Sequence, residues 1–474
     1  MPNNYRELAV AIRRLSRTSV LVGLARDSAE TYSDMQWHAS LDRLRQFPWA
    51  NAHVARLALV NGTDFQRKPA SRADLIRLKE QYHFLDPKSE PGDLWSLMNR
   101  MLHEQIPMQH PLLNELARAW RLLGQEVNGC TVYDWAEVFG VSLGERIKAL
   151  FFIHVWAIQN RGVFSIAPLE GEYYTELLGR LGGRDLIFSV IADLARTPDE
   201  FRALHEKRSG TRTVQSLAEF NDLHRFPLVR LGDRNFATPS VHLVLASVST
   251  YNLYYRGMDA WGQQFADSLG FRVENIAGED LSLLEDSRLI REITYGKPEK
   301  KSVDWIVVFP ECVLLVECKS ARMGLEALAN VQGEQKLIDR YLRKAADQID
   351  ETARVASMGP VGFDAVPTDR PFYGLIVAAE QIYLGGVAVD RWWIDSTVPH
   401  EVVSLGELEE FCALEMTNPG TYIDNYFRTR NPLASGLVRE ALATFERGEN
   451  PFVNQALREV DFTVEFPRDG MVKQ

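Results

Sequence analysis

The sequence predicts a multidomain protein of the mixed α and β class, with a mainly helical N-terminal domain (1–225), a mixed-sheet α/β domain (226–415) and a short helical C-terminal extension (416–474). Apolar residues recur at helical spacing through about the first 160 residues, strand-like and helix-like segments then interleave, and the end returns to short helices between Asn-Pro breakers. At 474 residues the chain exceeds the roughly 250–300 residues at which a single core stops growing.

Five helical segments are expected in the N-terminal domain, because each has apolar residues three or four positions apart. Ser71 and Asp93 stand where helix caps belong. The polar stretch 205–213 is expected to be an exposed loop, and 226–246 to form two strands around a Gly-Asp-Arg-Asn turn. The five helical segments are 5–17, 35–47, 71–82, 93–106 and 111–124.

In the α/β domain, a helix over 254–270 is expected to close on Gly270, since glycine is the usual residue after a helix end. A first strand follows at 288–296. Further along, the pattern predicts a helix, a strand and a second helix. These three elements cover 334–356, 372–384 and 404–414.

Bulk properties bound the environment of the chain. The formal net charge is -11 and the pI is near 5.5, which disfavours nonspecific coating of nucleic acid but is compatible with a local basic groove. The four cysteines form no CxxC pair, which favours a reducing compartment. The longest apolar stretch, 149–158, is about half of what spans a bilayer. We expect a cytosolic protein that does not cross a membrane.

Two apolar segments, 303–309 and 312–321, are separated only by Pro310 and Glu311. Both are apolar on both faces, which is typical of central strands covered by helices. A short symmetric turn would make them a hairpin in which paired residue numbers sum to 621. A loop one residue longer or shorter would shift this register, so the position of every charge on the hairpin depends on the turn.

The charges of this hairpin are expected to gather on one face. The 621 register puts Asp304 opposite Glu317, Lys319 shares their face, and the Cys318 side chain points to the other. Two adjacent carboxylates repel unless a cation lies between them, and Mg²⁺ prefers carboxylate, carbonyl and water oxygens, so the Cys318 carbonyl is a further candidate ligand. The alternative is a structural salt bridge at a strand end.

The hairpin resembles the signature of the PD-(D/E)XK, or restriction-endonuclease-like, nuclease superfamily over about residues 250–415, although Val303 replaces the proline of the motif. The resemblance implies a restriction-endonuclease-like mixed-sheet domain and Mg²⁺ (or Mn²⁺) as cofactor. It implies that Asp304 and Glu317 bind the metal and that Lys319 positions the attacking water.

The same resemblance nominates secondary residues. Glu274 would be a catalytic metal ligand on a preceding helix, although its surroundings suit a strand equally. Gln348, on the helix after the hairpin, would face the site. Arg343 and Lys344 are candidates to touch phosphate, with an ordinary solvated helix face as the alternative.

Residues 131–152 resemble a helix-turn-helix whose second helix would bring Arg146 and Lys148 to DNA. Ser142 and Glu145 have the spacing of a capping box that starts this helix. The alternative, two packed helices of a helical domain, is favoured by the apolar run that follows.

Together these features predict a metal-dependent nuclease that hydrolyses phosphodiester bonds, with DNA the favoured substrate. A soluble nuclease joined to a helical recognition domain would suit bacterial defence against phage or plasmids, a role inferred from fold-level analogy. A protein partner from the same system and homo-oligomers are both compatible with the sequence. The alternative function is a non-catalytic scaffold that binds nucleic acid or protein.

Overall fold

The computed structural model describes most of the chain, and the helices predicted at 35–47 and 93–106 lie outside the described residues. The described residues are 5–33, 49–83, 112–127, 129–214, 219–322, 338–359, 361–382, 396–430 and 436–461.

Helices dominate the N-terminal part of the chain, and the predicted segments 5–17, 71–82 and 111–124 each overlap one of them. The Ser71 cap is confirmed, since the amide of Asp74 donates to its hydroxyl at 3.2 Å. The helices are α1 (Tyr5–Arg13), α2 (Arg17–Ser33), α3 (Ala50–Asn61), α4 (Arg72–His83), α5 (Leu112–Leu123), α6 (Ala136–Phe139), α7 (Leu143–Gln159), α8 (Thr175–Arg180), α9 (Arg184–Leu194) and α10 (Pro198–Ser209).

Helix α3 was not among the predicted segments. Every residue from Ala50 to Val60 is buried, and α2 and α4 belong to the same core. A helix enclosed on all sides has no polar face, so the amphipathic period that reveals surface helices is absent from its sequence.

A small four-stranded sheet follows, in the order β1-β4-β3-β2. The predicted hairpin around the Gly-Asp-Arg-Asn turn is confirmed, because β3 and β4 are antiparallel and pair Val229 with Ala237. The strands are β1 (Val163–Ser165), β2 (Ala195–Arg196), β3 (Leu228–Arg230) and β4 (Asn235–Ala237).

The larger sheet has five strands in the order β11-β10-β9-β8-β5. Neighbours β5, β8 and β9 are antiparallel, whereas β9, β10 and β11 are parallel, so the sheet is mixed as predicted. Its strands are β5 (Arg288–Arg291), β8 (Trp305–Val308), β9 (Val313–Lys319), β10 (Phe372–Ala378) and β11 (His400–Ser404), and β6 (Thr294–Tyr295) pairs with β7 (Lys300–Lys301) as a separate ribbon.

Helices cover both faces of this sheet. After α11 (His242–Ala246) and α12 (Thr250–Trp261), α13 (Gln263–Leu281) packs in the core that contains Leu314 and Val316. On the other face, Leu315 packs in the core of α14 (Lys344–Ala356), which a π-helical turn precedes. Alternate residues of β9 therefore enter two different cores, which explains its continuous apolar sequence.

The predicted helix end at Gly270 is wrong. The break lies at Gly262, whose φ of 64° and ψ of -145° suit glycine, and α13 continues through Gly270. The continuation of α13 buries the side chains of Val273 and Ile276, and each burial stabilises the fold by about 2 kcal/mol. This gain exceeds the roughly 1 kcal/mol that a glycine inside a helix costs. The loop predicted at 205–213 is also partly wrong, since α10 extends to Ser209.

The C-terminal part consists of short helices, as predicted, and the last of them returns to the N-terminal half. Trp120 of α5 donates its indole N–H to Glu459 at 2.9 Å. In the described part of the chain, no helix is long and apolar enough to span a bilayer. The final helices are α15 (Leu405–Cys412), α16 (Pro419–Thr429), α17 (Leu437–Thr444) and α18 (Pro451–Glu459).

Candidate functional site

The hairpin register on which the site depends is confirmed. The amide of Phe309 donates to the carbonyl of Cys312 at 2.9 Å, which closes a short turn over the two residues between them. Trp305 pairs with Val316, and in the other pairs of β8 and β9 the two residue numbers also sum to 621, as predicted. The regular pairing ends at Trp305 and Val316, and Asp304 and Glu317 are the next residues toward the open end of the hairpin.

Beyond the pair of Trp305 and Val316, backbone amides of the hairpin donate to side-chain oxygens and not to the backbone of the paired strand. The amide of Cys318 donates to Asp304 Oδ2 at 2.7 Å, and the amide of Val303 donates to Thr352 Oγ1 at 3.1 Å. In a regular ladder the Val303 amide would donate to the carbonyl of Cys318. That carbonyl is therefore released from the ladder beside the Asp304 carboxylate.

A bulge in the strand of Asp304 accompanies this change. Arg291 pairs with Trp305, but Thr294 pairs with Lys301, so one extra residue lies on the strand between Lys301 and Trp305. Bulges interrupt ladder bonds and re-aim side chains. Here the bulge explains how Asp304 turns its carboxylate toward the backbone of the neighbouring strand.

Glu317 and Lys319 lie on one face of β9, as predicted from strand alternation. Leu315 packs in the α14 core, so the side chains two and four residues further lie on the same face. Cys318 packs against the opposite core, together with Val316. The Lys319 ammonium donates to Glu317 Oε1.

The negative charges of Asp304 and Glu317 have few compensating partners. Glu317 is 2% exposed, and its Oε2 is buried without a hydrogen-bond partner. Burial raises the pKa of Glu317 to about 8 and the Asp304 charge raises it further, while Lys319 and a weaker hydrogen bond from the Asp304 backbone oppose the shift. Burial also raises the pKa of Asp304 to about 6, against the opposing bond from the Cys318 amide. Both groups resist ionisation without an added positive charge.

One acid beside Asp304, Glu292, was not among the residues predicted from the sequence. Its amide donates to the carbonyl of Asp304 at 2.8 Å, and its carboxylate pairs with Lys301 at 2.9 Å. The Glu292 charge also raises the pKa of Asp304. Glu292 lies inside the strand predicted at 288–296, and no local pattern in the sequence indicates that it comes to lie beside Asp304.

Glu274 is helical, which resolves the alternative left open by the sequence. It lies on α13, and its carboxylate Oε1 accepts a hydrogen bond from Arg291 at 3.0 Å. Its backbone carbonyl accepts the indole N–H of Trp305 at 2.8 Å. The Glu274 charge raises the pKa of Asp304, but its carboxylate is engaged by Arg291 on the face that α13 covers.

Gln348 lies at the edge of the site. Its side-chain amide donates to the carbonyl of Ser302 at 2.8 Å, in the bulged segment just before Asp304. Arg343 and Lys344 are exposed where α14 begins. Gln348 therefore contacts the backbone that positions Asp304, whereas the two basic residues lie on the helix surface.

Arg146 is placed differently from the DNA-contacting position proposed for it. The Ser142–Glu145 capping box is present. However, the Arg146 side chain is 3% exposed and donates to Asp193 at 2.7 Å. A side chain so enclosed does not reach a DNA groove. Lys148 is partly exposed, and its Nζ lies 3.5 Å from Asp461 Oδ2. Helices α6 and α7 pack into the main core, as in the alternative of two packed helices in a helical domain.

The residues present suit an ion with few side-chain ligands. In the described ranges, no group of three or more His, Cys, Asp and Glu side chains is placed to hold a metal. Two carboxylates, one released carbonyl and waters are nevertheless an ordinary donor set for Mg²⁺. The unpartnered Oε2 of Glu317 is an oxygen that could coordinate such an ion.

The chain matches no family model, no curated protein and no solved structure among those compared with it.

Proposed function

We propose that the chain is a Mg²⁺- or Mn²⁺-dependent nuclease whose site is built on Asp304, Glu317 and Lys319. The sheet supports this proposal. An antiparallel unit of β5, β8 and β9, continued by parallel β10 and β11 between helices α13 and α14, is compatible with the core that the PD-(D/E)XK resemblance implies.

The observation that carries the proposal is the environment of Glu317. A glutamate that is 2% exposed, with one oxygen on Lys319 and the other unpartnered, next to a second carboxylate, is costly as a purely structural element. A divalent cation would remove this cost, since it neutralises both carboxylates and lowers their pKa values. Strained electrostatics of this kind are typical of functional sites.

Each residue has a specific task in this proposal. Asp304, Glu317 and the Cys318 carbonyl would hold the cation, which supplies an acidified water and charge neutralisation at a phosphate. Lys319, held by Glu317, would hydrogen-bond that water or the developing charge on the phosphate. Gln348 would keep the Ser302 segment, and through it Asp304, in position.

We further propose a cytosolic role in defence against foreign DNA, with the helical N-terminal domain recognising the substrate or a protein partner. This role rests on fold-level analogy. The non-catalytic scaffold remains the alternative, and the Lys319–Glu317 ion pair is the feature that such a protein would also keep.

The test is a cleavage assay with supercoiled plasmid, linear DNA and RNA, each with Mg²⁺, Mn²⁺ or EDTA. The wild type is compared with Asp304→Asn and Lys319→Met, and Glu311→Gln serves as the matched control. Glu311 lies in the turn of the same hairpin, about 20 Å from Glu317 along the strand, and accepts a hydrogen bond from Thr421.

We expect metal-dependent cleavage by the wild type and the control, and a loss of about 100-fold or more in the two site variants. Equal behaviour of wild type and both site variants would contradict the proposal. Binding of Mn²⁺ to the wild type but not to Asp304→Asn, without cleavage of any substrate, would favour the scaffold.

A further inference from the structure

Side chains of helix α14 take over backbone hydrogen bonds in the segment just before Asp304. Gln348 and Thr352 are four residues apart on this helix, so they share one of its faces. Gln348 donates to the carbonyl of Ser302 at 2.8 Å, and Thr352 Oγ1 accepts from the amide of Val303 at 3.1 Å. The strand that leads to Asp304 is therefore held by a helix where a neighbouring strand would hold it in a regular sheet.

The backbone bonds between Val303 and Cys318 are the ones that this arrangement replaces. In the 621 register these two residues would exchange two hydrogen bonds. Instead, the Cys318 amide donates to Asp304 Oδ2 at 2.7 Å, the Val303 carbonyl accepts from the Ser302 hydroxyl at 2.9 Å, and the Val303 amide donates to Thr352. Three of the four backbone groups thus have side-chain partners, and the Cys318 carbonyl is left without its ladder bond.

The hydroxyl of Thr352 lies in apolar surroundings. The side chain is 0% exposed, and its helix neighbours Ile349 and Ala353 belong to the core on this face of the sheet. A buried hydroxyl costs free energy unless it is hydrogen-bonded, and a valine would fill the same space. With valine there, the Val303 amide would be available to the Cys318 carbonyl. The hydroxyl is therefore not needed to complete the sheet, and its effect is to draw the Val303 amide away from that carbonyl.

We infer that Thr352 is a positioning residue that keeps the Cys318 carbonyl accessible to the cation. The inference rests on the proposed metal-dependent nuclease and adds that α14 takes part in assembling its metal site. Backbone carbonyls are ordinary Mg²⁺ ligands, but an amide that donates to the same oxygen places a positively polarised hydrogen there and disfavours a cation. Replacing a residue that only orients a metal ligand commonly weakens metal binding by about 10- to 100-fold.

The test measures Mn²⁺ binding to the full chain by electron paramagnetic resonance, and in parallel the Mn²⁺ concentration that gives half-maximal cleavage of plasmid DNA. Thr352→Val and Thr352→Ala remove the hydroxyl, whereas Thr352→Ser retains it. Thr238→Val is the matched control. Thr238, just after β4, is also 0% exposed and uses its hydroxyl in a bond to a backbone carbonyl, that of Ser240 at 3.3 Å.

We expect both variants without the hydroxyl to bind Mn²⁺ about tenfold more weakly and to need about tenfold more Mn²⁺ for half-maximal cleavage. At saturating Mn²⁺ their kcat should return to within about threefold of the wild-type value, since the carboxylates and Lys319 are unchanged. Thr352→Ser and Thr238→Val should match the wild type in Mn²⁺ binding, although Thr238→Val loses a buried hydrogen bond. If Thr352→Val does not fold, the comparison of Thr352→Ala with Thr352→Ser decides.

Three results would overturn the inference, and they separate it from the proposed function. Wild-type Mn²⁺ affinity in the variants without the hydroxyl, in a protein that binds Mn²⁺ and cleaves, would overturn the role of Thr352 alone. Binding by Thr352→Ser as weak as that of Thr352→Ala would do the same, because packing and not the hydroxyl would then matter. A wild type that neither binds Mn²⁺ nor cleaves any substrate would overturn the proposed function and this inference together.

Discussion

In the part of the chain that the structure describes, two pairs of neighbouring carboxylates are largely shielded from solvent, and their charges are compensated in opposite ways. Asp280 and Glu409, 0% and 3% exposed, lie where α5, α13 and α15 meet. Asp304 and Glu317 lie at the open end of the hairpin. Both pairs face the same problem, since like charges close together in a poorly solvated place repel.

The first pair is compensated by cations and amides from three directions. Arg121 reaches Asp280 at 3.1 Å and Glu409 at 2.8 Å, Arg118 reaches Glu409 at 2.7 Å, and the Asn450 amide donates to Asp280 at 3.0 Å. These partners come from distant parts of the chain, so the network fastens α5 and the start of α18 to the helices of the α/β domain.

The second pair has a single lysine on Glu317 and a single backbone amide on Asp304, and Glu317 Oε2 is left unpartnered. A structural pair is completed within the chain, whereas a pair that binds a cation from solution must be left incomplete. If the second pair binds a cation, removing a charge should have opposite effects on stability at the two places.

The largest expected effect is the difference in the free energy of unfolding between two single variants, Glu409→Gln and Glu317→Gln. Glu409→Gln leaves two buried arginines short of a charge, so the free energy of unfolding should fall by about 3 kcal/mol. Glu317→Gln should instead raise the free energy of unfolding, by about 2 kcal/mol at pH 7, because the amide is neutral in both states whereas the wild type must take up a proton at Glu317 when it folds. The same substitution should reduce cleavage about 100-fold. Chemical denaturation and the cleavage assay measure the two quantities. A destabilisation by Glu317→Gln as large as that of Glu409→Gln would make Glu317 a structural residue.

A smaller effect is expected from pH in metal-free buffer. The pKa of Glu317 is raised from an ordinary 4.5 to about 8, so between these values the folded protein holds a proton that the unfolded chain has released. The free energy of unfolding of the wild type should therefore fall as pH rises through this interval, by on the order of 3 kcal/mol relative to Glu317→Gln.

Denaturation curves of both proteins between pH 5 and 9 measure this difference. Saturating Mg²⁺ should flatten it, because a bound cation stabilises the ionised carboxylates. A wild-type curve parallel to that of the variant, with and without Mg²⁺, would show that Glu317 is not the strained group.

Part of this site was predictable from sequence because it depends on local rules. A two-residue turn fixes a hairpin register, and this register places Asp304 and Glu317 one step beyond its last pair, Trp305 with Val316. Glu292 was not found, because its place depends on pairing across a longer connection and on a bulge whose position no local pattern indicates. Arg146 was misplaced for a related reason. A helix enclosed by the main core lacks a clear polar face, so its sequence does not reveal which charged residues are buried.

The smallest effects are expected at Glu292 and Glu274. These two residues are the candidates for a third acidic side chain that acts on the site beside Asp304 and Glu317. Each makes one ion pair with a largely exposed base, Lys301 at 2.9 Å and Arg291 at 3.0 Å. Removing either pair should therefore cost less than about 1 kcal/mol of stability, so differences in activity can be compared directly.

We expect Glu292→Gln to reduce cleavage about tenfold and to weaken Mn²⁺ binding, because the substitution removes a negative charge that acts on Asp304 and would attract the cation. Glu274→Gln should reduce cleavage by about threefold or less, since Arg291 already neutralises its charge on the other face of the sheet. Cleavage rates and Mn²⁺ affinities of the two variants decide between them. The reverse order would mean that the Glu274 carboxylate leaves Arg291 for the metal when substrate binds, and would assign it the ligand role that the family resemblance implies.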